Sequence, residues 1–125
     1  KTMRMWNIET GKCINSLNTD RQVCAIICNP EQREIVSSHG YSENQLSIWK
    51  VDKSSMNYIN CQKVMELYGH TQRVLHMSLS PDASTVCTAS ADETLRYSKV
   101  FNSGYSKLKE GKYSKDIGLE ECSLR

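Results

Sequence analysis

Polar and apolar residues alternate in three short segments: Thr2-Met3-Arg4-Met5-Trp6-Asn7, Gln45-Leu46-Ser47-Ile48-Trp49-Lys50 and Thr94-Leu95-Arg96-Tyr97-Ser98-Lys99. A period of two sends successive side chains to opposite sides of an extended backbone, so each segment predicts a strand with two different faces. Short apolar stretches at Val23 to Ile27, Glu34 to Val36, Val64 to Leu67, Val74 to Leu79 and Thr85 to Thr88 supply further strands. Asn29-Pro30-Glu31, Ser80-Pro81-Asp82 and Glu9-Thr10-Gly11-Lys12 separate them with the residue chemistry of tight reversals. The pattern predicts an all-β fold.

The strands also recur. Cys13 to Pro30 lies over Val64 to Pro81 at a constant offset of 51, pairing Val23 with Val74, Ile27 with Ser78 and Pro30 with Pro81. The three alternating segments repeat at offsets of 43 and 49. Four strands per unit of about 40 to 50 residues, a Gly-His pair (Gly69-His70) and an Asp-x-Thr turn (Asp92, Thr94) resemble the WD repeat, the blade of a β-propeller. On this parsing residues 1–101 hold the end of one blade, a complete blade from Val23 to Leu67 and three strands of another. These are expected to be the last two to three blades of a seven-bladed ring, which at this period needs roughly 280 to 300 residues. The chain is therefore read as a fragment with open, poorly stable edges. From Asn102 the composition turns to Ser, Gly, Lys and Glu, so residues 102–125 are expected to form a flexible tail.

Composition narrows the functional classes. The chain has 125 residues, 38% hydrophobic and 24% charged, as in an ordinary soluble domain. A net charge of +2 is too small to predict a nucleic-acid surface, and no apolar run approaches the ~20 residues that cross a membrane. The six cysteines lack a regular spacing, which argues against a disulfide framework and for a reducing compartment. Cys24 and Cys28 share a strand face but stand about 13 Å apart along it, too far for one metal ion. His39, His70 and His76 complete no ligand spacing, and no phosphate or dinucleotide fingerprint occurs, so neither metal, cofactor nor catalysis is expected. In WD blades His and Asp satisfy one another within a buried network, which makes His70 and Asp92 structural residues.

Several strings are more specific, and they come in a particular order: Arg21-Gln22-Val23-Cys24, His39-Gly40-Tyr41-Ser42-Glu43-Asn44-Gln45-Leu46-Ser47-Ile48-Trp49-Lys50, Gly69-His70-Thr71-Gln72-Arg73-Val74-Leu75, Ser80-Pro81-Asp82 and Ala91-Asp92-Glu93-Thr94-Leu95-Arg96. From Thr2 to Phe101 the chain resembles the final blades of the Fizzy/Fizzy-related family, the WD-repeat co-activators of the anaphase-promoting complex. His39-Gly40-Tyr41-Ser42 and Val100-Phe101 lean toward the Fizzy-related branch. The resemblance implies a non-enzymatic adaptor of nucleus and cytoplasm that brings degron-bearing substrates, such as cyclins, to a ubiquitin ligase in the cell cycle. It assigns Glu93 to the Arg of the destruction box, and Gln22 and Arg73 to the Lys-Glu-Asn box at the channel mouth. The terminal Leu124-Arg125 resembles the Ile-Arg with which family members dock on a tetratricopeptide-repeat subunit of the ligase. Two departures stand out: Ser98 replaces the aromatic of Trp6 and Trp49, and Asn18-Thr19 occupies the place of Gly69-His70. A WD-repeat scaffold of another pathway, a propeller hydrolase and a diverged non-functional copy are the alternatives.

Overall fold

The computed structural model describes residues 1–29, 32–55, 58–101 and 119–123. Ten strands follow one another: β1 (Thr2–Trp6), β2 (Cys13–Asn18), β3 (Val23–Asn29), β4 (Glu34–His39), β5 (Leu46–Ser55), β6 (Tyr58–Leu67), β7 (Val74–Leu79), β8 (Thr85–Ser90), β9 (Thr94–Lys99) and β10 (Leu119–Ser123). Every pair is antiparallel and joins neighbours in the chain. The result is a two-stranded sheet β1–β2, a meander β3–β4–β5–β6 and a second meander β7–β8–β9–β10.

The two meanders repeat in detail. The ladder between β3 and β4 shifts register between Val23 and Ala25, and the one between β7 and β8 shifts between Val74 and His76. A bulge at the same place in both units bends the first strand and re-aims the residues that precede it. These first strands, β3 and β7, lie against each other. At the opposite end Asn29 donates through Nδ2 to the Ala83 carbonyl at 3.2 Å, tying one unit to the next. The Ser80–Thr85 turn closes on itself: the hydroxyls of Ser80 and Ser84 and the Ser84 N–H donate to Asp82. These hydrogen bonds, the Ser80 hydroxyl foremost, hold the Asp82 carboxyl down at about 2. The first unit's turn, at Pro30 and Glu31, lies outside the described residues.

Beyond Phe101 the structure corrects the expectation of a tail without strands. β10 runs along β9 from Leu119 opposite Ser98 to Ser123 opposite Thr94, so the last sheet has four strands rather than three. Leu119-Glu120-Glu121-Cys122-Ser123 carries almost none of the β-branched and aromatic residues by which strands are read. Its pairing instead satisfies the row of N–H and C=O groups that β9 would otherwise present at an open edge.

Alternate residues of the meanders meet between the sheets. Val36, Leu46 and Ile48 of the middle sheet pack with Val74 and Val86 of the last sheet and with Phe101, all buried. A second cluster of Met3, Ile35, Trp49 and Cys61 joins the middle sheet to β1 and β2. Fully burying a Val, Leu, Ile or Phe side chain contributes about 1.5–3 kcal/mol, so both contacts are held chiefly by apolar surface.

Ile48→Ala is expected to lower the unfolding free energy by about 2–5 kcal/mol. Leu75→Ala, at a position 44% exposed, should change it by no more than about 0.5 kcal/mol. Urea unfolding of the two variants side by side is the check.

Candidate functional site

The loop 68–73 and the turn 91–93 emerge at the same end of the last sheet and are locked together by polar groups. His70 Nδ1 meets Asp92 Oδ2 at 2.9 Å, and His70 Nε2 meets Thr88 Oγ1 at 2.8 Å. Asp92 also accepts the Thr94 hydroxyl at 2.6 Å and the N–H groups of Thr71 and Thr94 at 3.0 and 3.1 Å. The His70 and Asp92 side chains are only 4% and 7% exposed. Burial pushes the Asp92 carboxyl upward, but the Thr94 hydroxyl, His70 and the two backbone N–H groups outweigh it and hold it well below the usual carboxylate range. With its acceptor capacity consumed in this way, Asp92 is a brace between two loops, the structural role expected for the pair.

The middle sheet meets the same need differently. Trp49 Nε1 donates to Ser37 Oγ at 2.7 Å, and Ser37 Oγ lies 2.8 Å from His39 Nε2. The imidazole here comes from the end of strand β4 and not from the loop before the blade, where Thr19 instead donates its hydroxyl to the Arg21 carbonyl. Burial lowers the basicity of His39 and favours its neutral form. Sequence reasoning noted the missing Gly-His pair but overlooked His39 as its substitute. The available signal was spacing, because residues 37 and 39 of one strand share a face.

Gln22 and Arg73 precede β3 and β7 at matching places. The Gln22 carbonyl accepts the Gly40 N–H and the Arg73 carbonyl accepts the Ala91 N–H, each at 3.1 Å. The fold also brings their side chains together. A Cβ on Gly40 would stand 3.8 Å from Gln22 Oε1 and 4.0 Å from Arg73 Cβ, so the two flank this glycine. Both are exposed. The pair thus combines a guanidinium, which accommodates a carboxylate, with an amide that both donates and accepts. Beside it Arg21 and Glu43 make a 3.4 Å surface ion pair, worth at most about 1 kcal/mol.

Glu93 stands apart from that pair. It occupies the exposed tip of the turn between β8 and β9, whereas Gln22 and Arg73 precede the first strand of each sheet. Its φ of 64° lies in the left-handed region, as does the 53° of Asn44, its counterpart one unit earlier. The bonds of Asp92 on one side and Thr94 on the other enforce this conformation. Among the described residues no group of three or more His, Cys, Asp or Glu converges as metal ligands do. The predicted docking dipeptide Leu124-Arg125 lies outside the described residues.

Antiparallel meanders packed face to face, braced by an imidazole, a carboxylate and hydroxyls, define the class: these are blades of a WD-repeat β-propeller. The family model "WD domain, G-beta repeat" matches residues 61–97. A solved structure, "Crystal Structure of Mitotic Checkpoint Complex", matches with a TM-score of 0.73 and 35% identity, covering 82% of this chain and 31% of that one. "Anaphase-promoting complex subunit cdc20" of Dictyostelium discoideum is 46% identical over 117 residues, covering 94% of this chain and 22% of the relative. "Cell division cycle 20.1, cofactor of APC complex" of Arabidopsis thaliana is 46% identical over 101 residues, 81% of this chain and 21% of the relative. "Protein FIZZY-RELATED 3" of the same plant is 41% identical over 119 residues, 95% of this chain and 22% of the relative. The chain belongs to the Fizzy/Fizzy-related family of WD-repeat proteins and spans about a fifth of the length of the relatives it matches. Among these three, identity is higher to the two cdc20 relatives than to the Fizzy-related one, the reverse of the lean drawn from His39-Gly40-Tyr41-Ser42.

The Asp92 brace carries a pH signature. A carboxyl depressed in the folded state contributes stability that is complete above its unfolded value of about 3.9 and is lost as pH falls toward the folded one. Asp92→Asn is expected to cost about 1–3 kcal/mol at neutral pH and to flatten the fall of the melting temperature below about pH 4. Thermal melts from pH 7 to pH 2.5 measure both effects.

Proposed function

We propose that the intact protein recruits substrates to the anaphase-promoting complex, capturing short degrons on its propeller while holding the ligase. Two relatives carry "cofactor of APC complex" or "Anaphase-promoting complex subunit" in their names, and the role is carried across by kinship over nearly the whole of this chain. The observation that supports it most is the placement of Gln22 and Arg73 side by side about Gly40. Arg73 neutralises the Glu of a Lys-Glu-Asn box while the Gln22 amide reads its Asn. Glu93, on its own turn, pairs with the Arg of a destruction box through charge-assisted hydrogen bonds. The activity is adaptation and not catalysis: two weak attachments on one body raise the effective concentration of substrate at the ligase. Leu124 supplies an aliphatic side chain, and Arg125 a guanidinium and terminal carboxylate, to a tetratricopeptide-repeat subunit.

The two degron sites separate experimentally. Arg73→Ala is expected to weaken a Lys-Glu-Asn-box peptide by about 10- to 100-fold, the value of a charge-assisted hydrogen bond, and to spare a destruction-box peptide. Glu93→Gly should do the reverse. Its effect on stability should stay within about 1 kcal/mol, since relief of the left-handed backbone offsets the added freedom of the unfolded chain. Fluorescence polarisation with both peptides reads the pattern; loss of neither peptide would favour a WD-repeat scaffold of another pathway.

Removing Leu124 and Arg125 from the intact protein should reduce its capture by purified anaphase-promoting complex. Equal capture would discard the terminal anchor and leave the degron sites standing.

A further inference from the structure

In the middle sheet an indole has a defined seat. Trp49 of β5 faces Ile35 of β4 across the ladder, donates its ring N–H to Ser37, and is buried with Met3 and Cys61 against the preceding sheet. In the last sheet the same positions are Val86, Thr88 and Ser98, with Ser98 opposite Val86 in the ladder as Trp49 is opposite Ile35. Ser98 and Thr88 are both only 1% exposed, so each faces inward as its counterpart does. The match to the WD repeat model ends at Tyr97, one residue before this substitution.

The space beside Ser98 is a cavity of about 240 Å³, counted out to its mouth, between the middle and last sheets. Leu46 and Leu67 line it from one sheet, and Thr88, Arg96 and Ser98 from the other, with Tyr68 at the rim. Phe101 is buried in the same inter-sheet core but does not line this cavity.

The hydrogen-bond relay behind the cavity is intact. Asp92 accepts from His70 Nδ1, which leaves His70 Nε2 as the acceptor for the Thr88 hydroxyl proton. The Thr88 oxygen then retains lone pairs toward the cavity, as the Ser37 oxygen does where it receives the Trp49 N–H. On the adjoining wall the Arg96 guanidinium lies over Gly69, where a Cβ would meet Nη1 at 2.7 Å. A planar cation on one wall and leucines on the other suit a flat aromatic ring.

We infer that this cavity binds a small planar heteroaromatic with a ring N–H donor, of the indole class, seated against Ser98 with its N–H on Thr88 Oγ1. Apolar cavities of this kind take up aromatic molecules from water when shape permits. The ring restores the packing and the donor that Ser98 lacks.

The probe is indole, added to the intact isotope-labelled protein and followed by amide and methyl NMR. Saturable shifts are expected at Leu46, Leu67, Thr88 and Ser98, with 1-methylindole, which has no N–H, binding at least tenfold more weakly. Ser98→Trp should fill the cavity with the chain's own indole, abolish the shifts and raise the melting temperature. Should that variant fail to fold, Thr88→Val provides the second arm: it is expected to erase the tenfold preference for indole over 1-methylindole. Absence of saturable shifts up to the solubility of indole overturns the inference, as does unchanged indole affinity in a folded Ser98→Trp protein.

Discussion

One meander of four short strands has two faces and cannot bury either by itself, so the structure depends on one sheet's inner residues meeting those of the next. Val36, Leu46 and Ile48 against Val74, Val86 and Phe101 form that meeting. Because the contact is made by alternate residues of strands, its register also fixes where every connecting loop emerges. Gln22 and Arg73 flank the same glycine as a direct result: each precedes the first strand of a sheet, and the first strands β3 and β7 are in contact. A surface built in this way gains its geometry from the core without any of its own residues being buried.

The polar braces sit where the apolar contact ends. In both meanders a hydroxyl on the second strand links to an imidazole, Ser37 to His39 and Thr88 to His70. The source of the imidazole differs, and so does what it holds. His70 belongs to the loop and, through Asp92, ties it to the turn that bears Glu93. His39 belongs to the strand and ties only Ser37 and Trp49. The last sheet therefore has the more firmly braced loop end, while the middle sheet has the more completely filled interior.

Much of this was legible in the chain because repetition makes equivalent residues recognisable without knowledge of contacts. The offset of 51 paired Gln22 with Arg73 before any coordinates, and the Gly-His and Asp-x-Thr strings located the His70–Asp92 brace. His39 escaped notice because its chemistry comes from an unfamiliar place in the unit. β10 escaped because pairing to an open edge draws on backbone groups that every residue possesses, leaving no trace in Leu119-Glu120-Glu121-Cys122-Ser123. Replacement of an aromatic by Ser98 was readable as a substitution; that the neighbours do not collapse onto it was not, since relaxation depends on packing from the adjoining sheet.

β10 differs from the other strands in how the chain reaches it. Each earlier pairing joins strands separated by a short connection, so its contacts are local in sequence and inexpensive in loop entropy. β10 is reached only after the long stretch from Lys99 to Leu119, and the entropy of closing a loop grows with its length. Assembly therefore has an order: the hairpins of each meander come first, the sheets join, and the β9–β10 ladder is added last. Reversed, the same order makes β9–β10 the first ladder to open, baring the edge of the sheet that carries Arg73 and Glu93 while its apolar contact with the middle sheet stays closed.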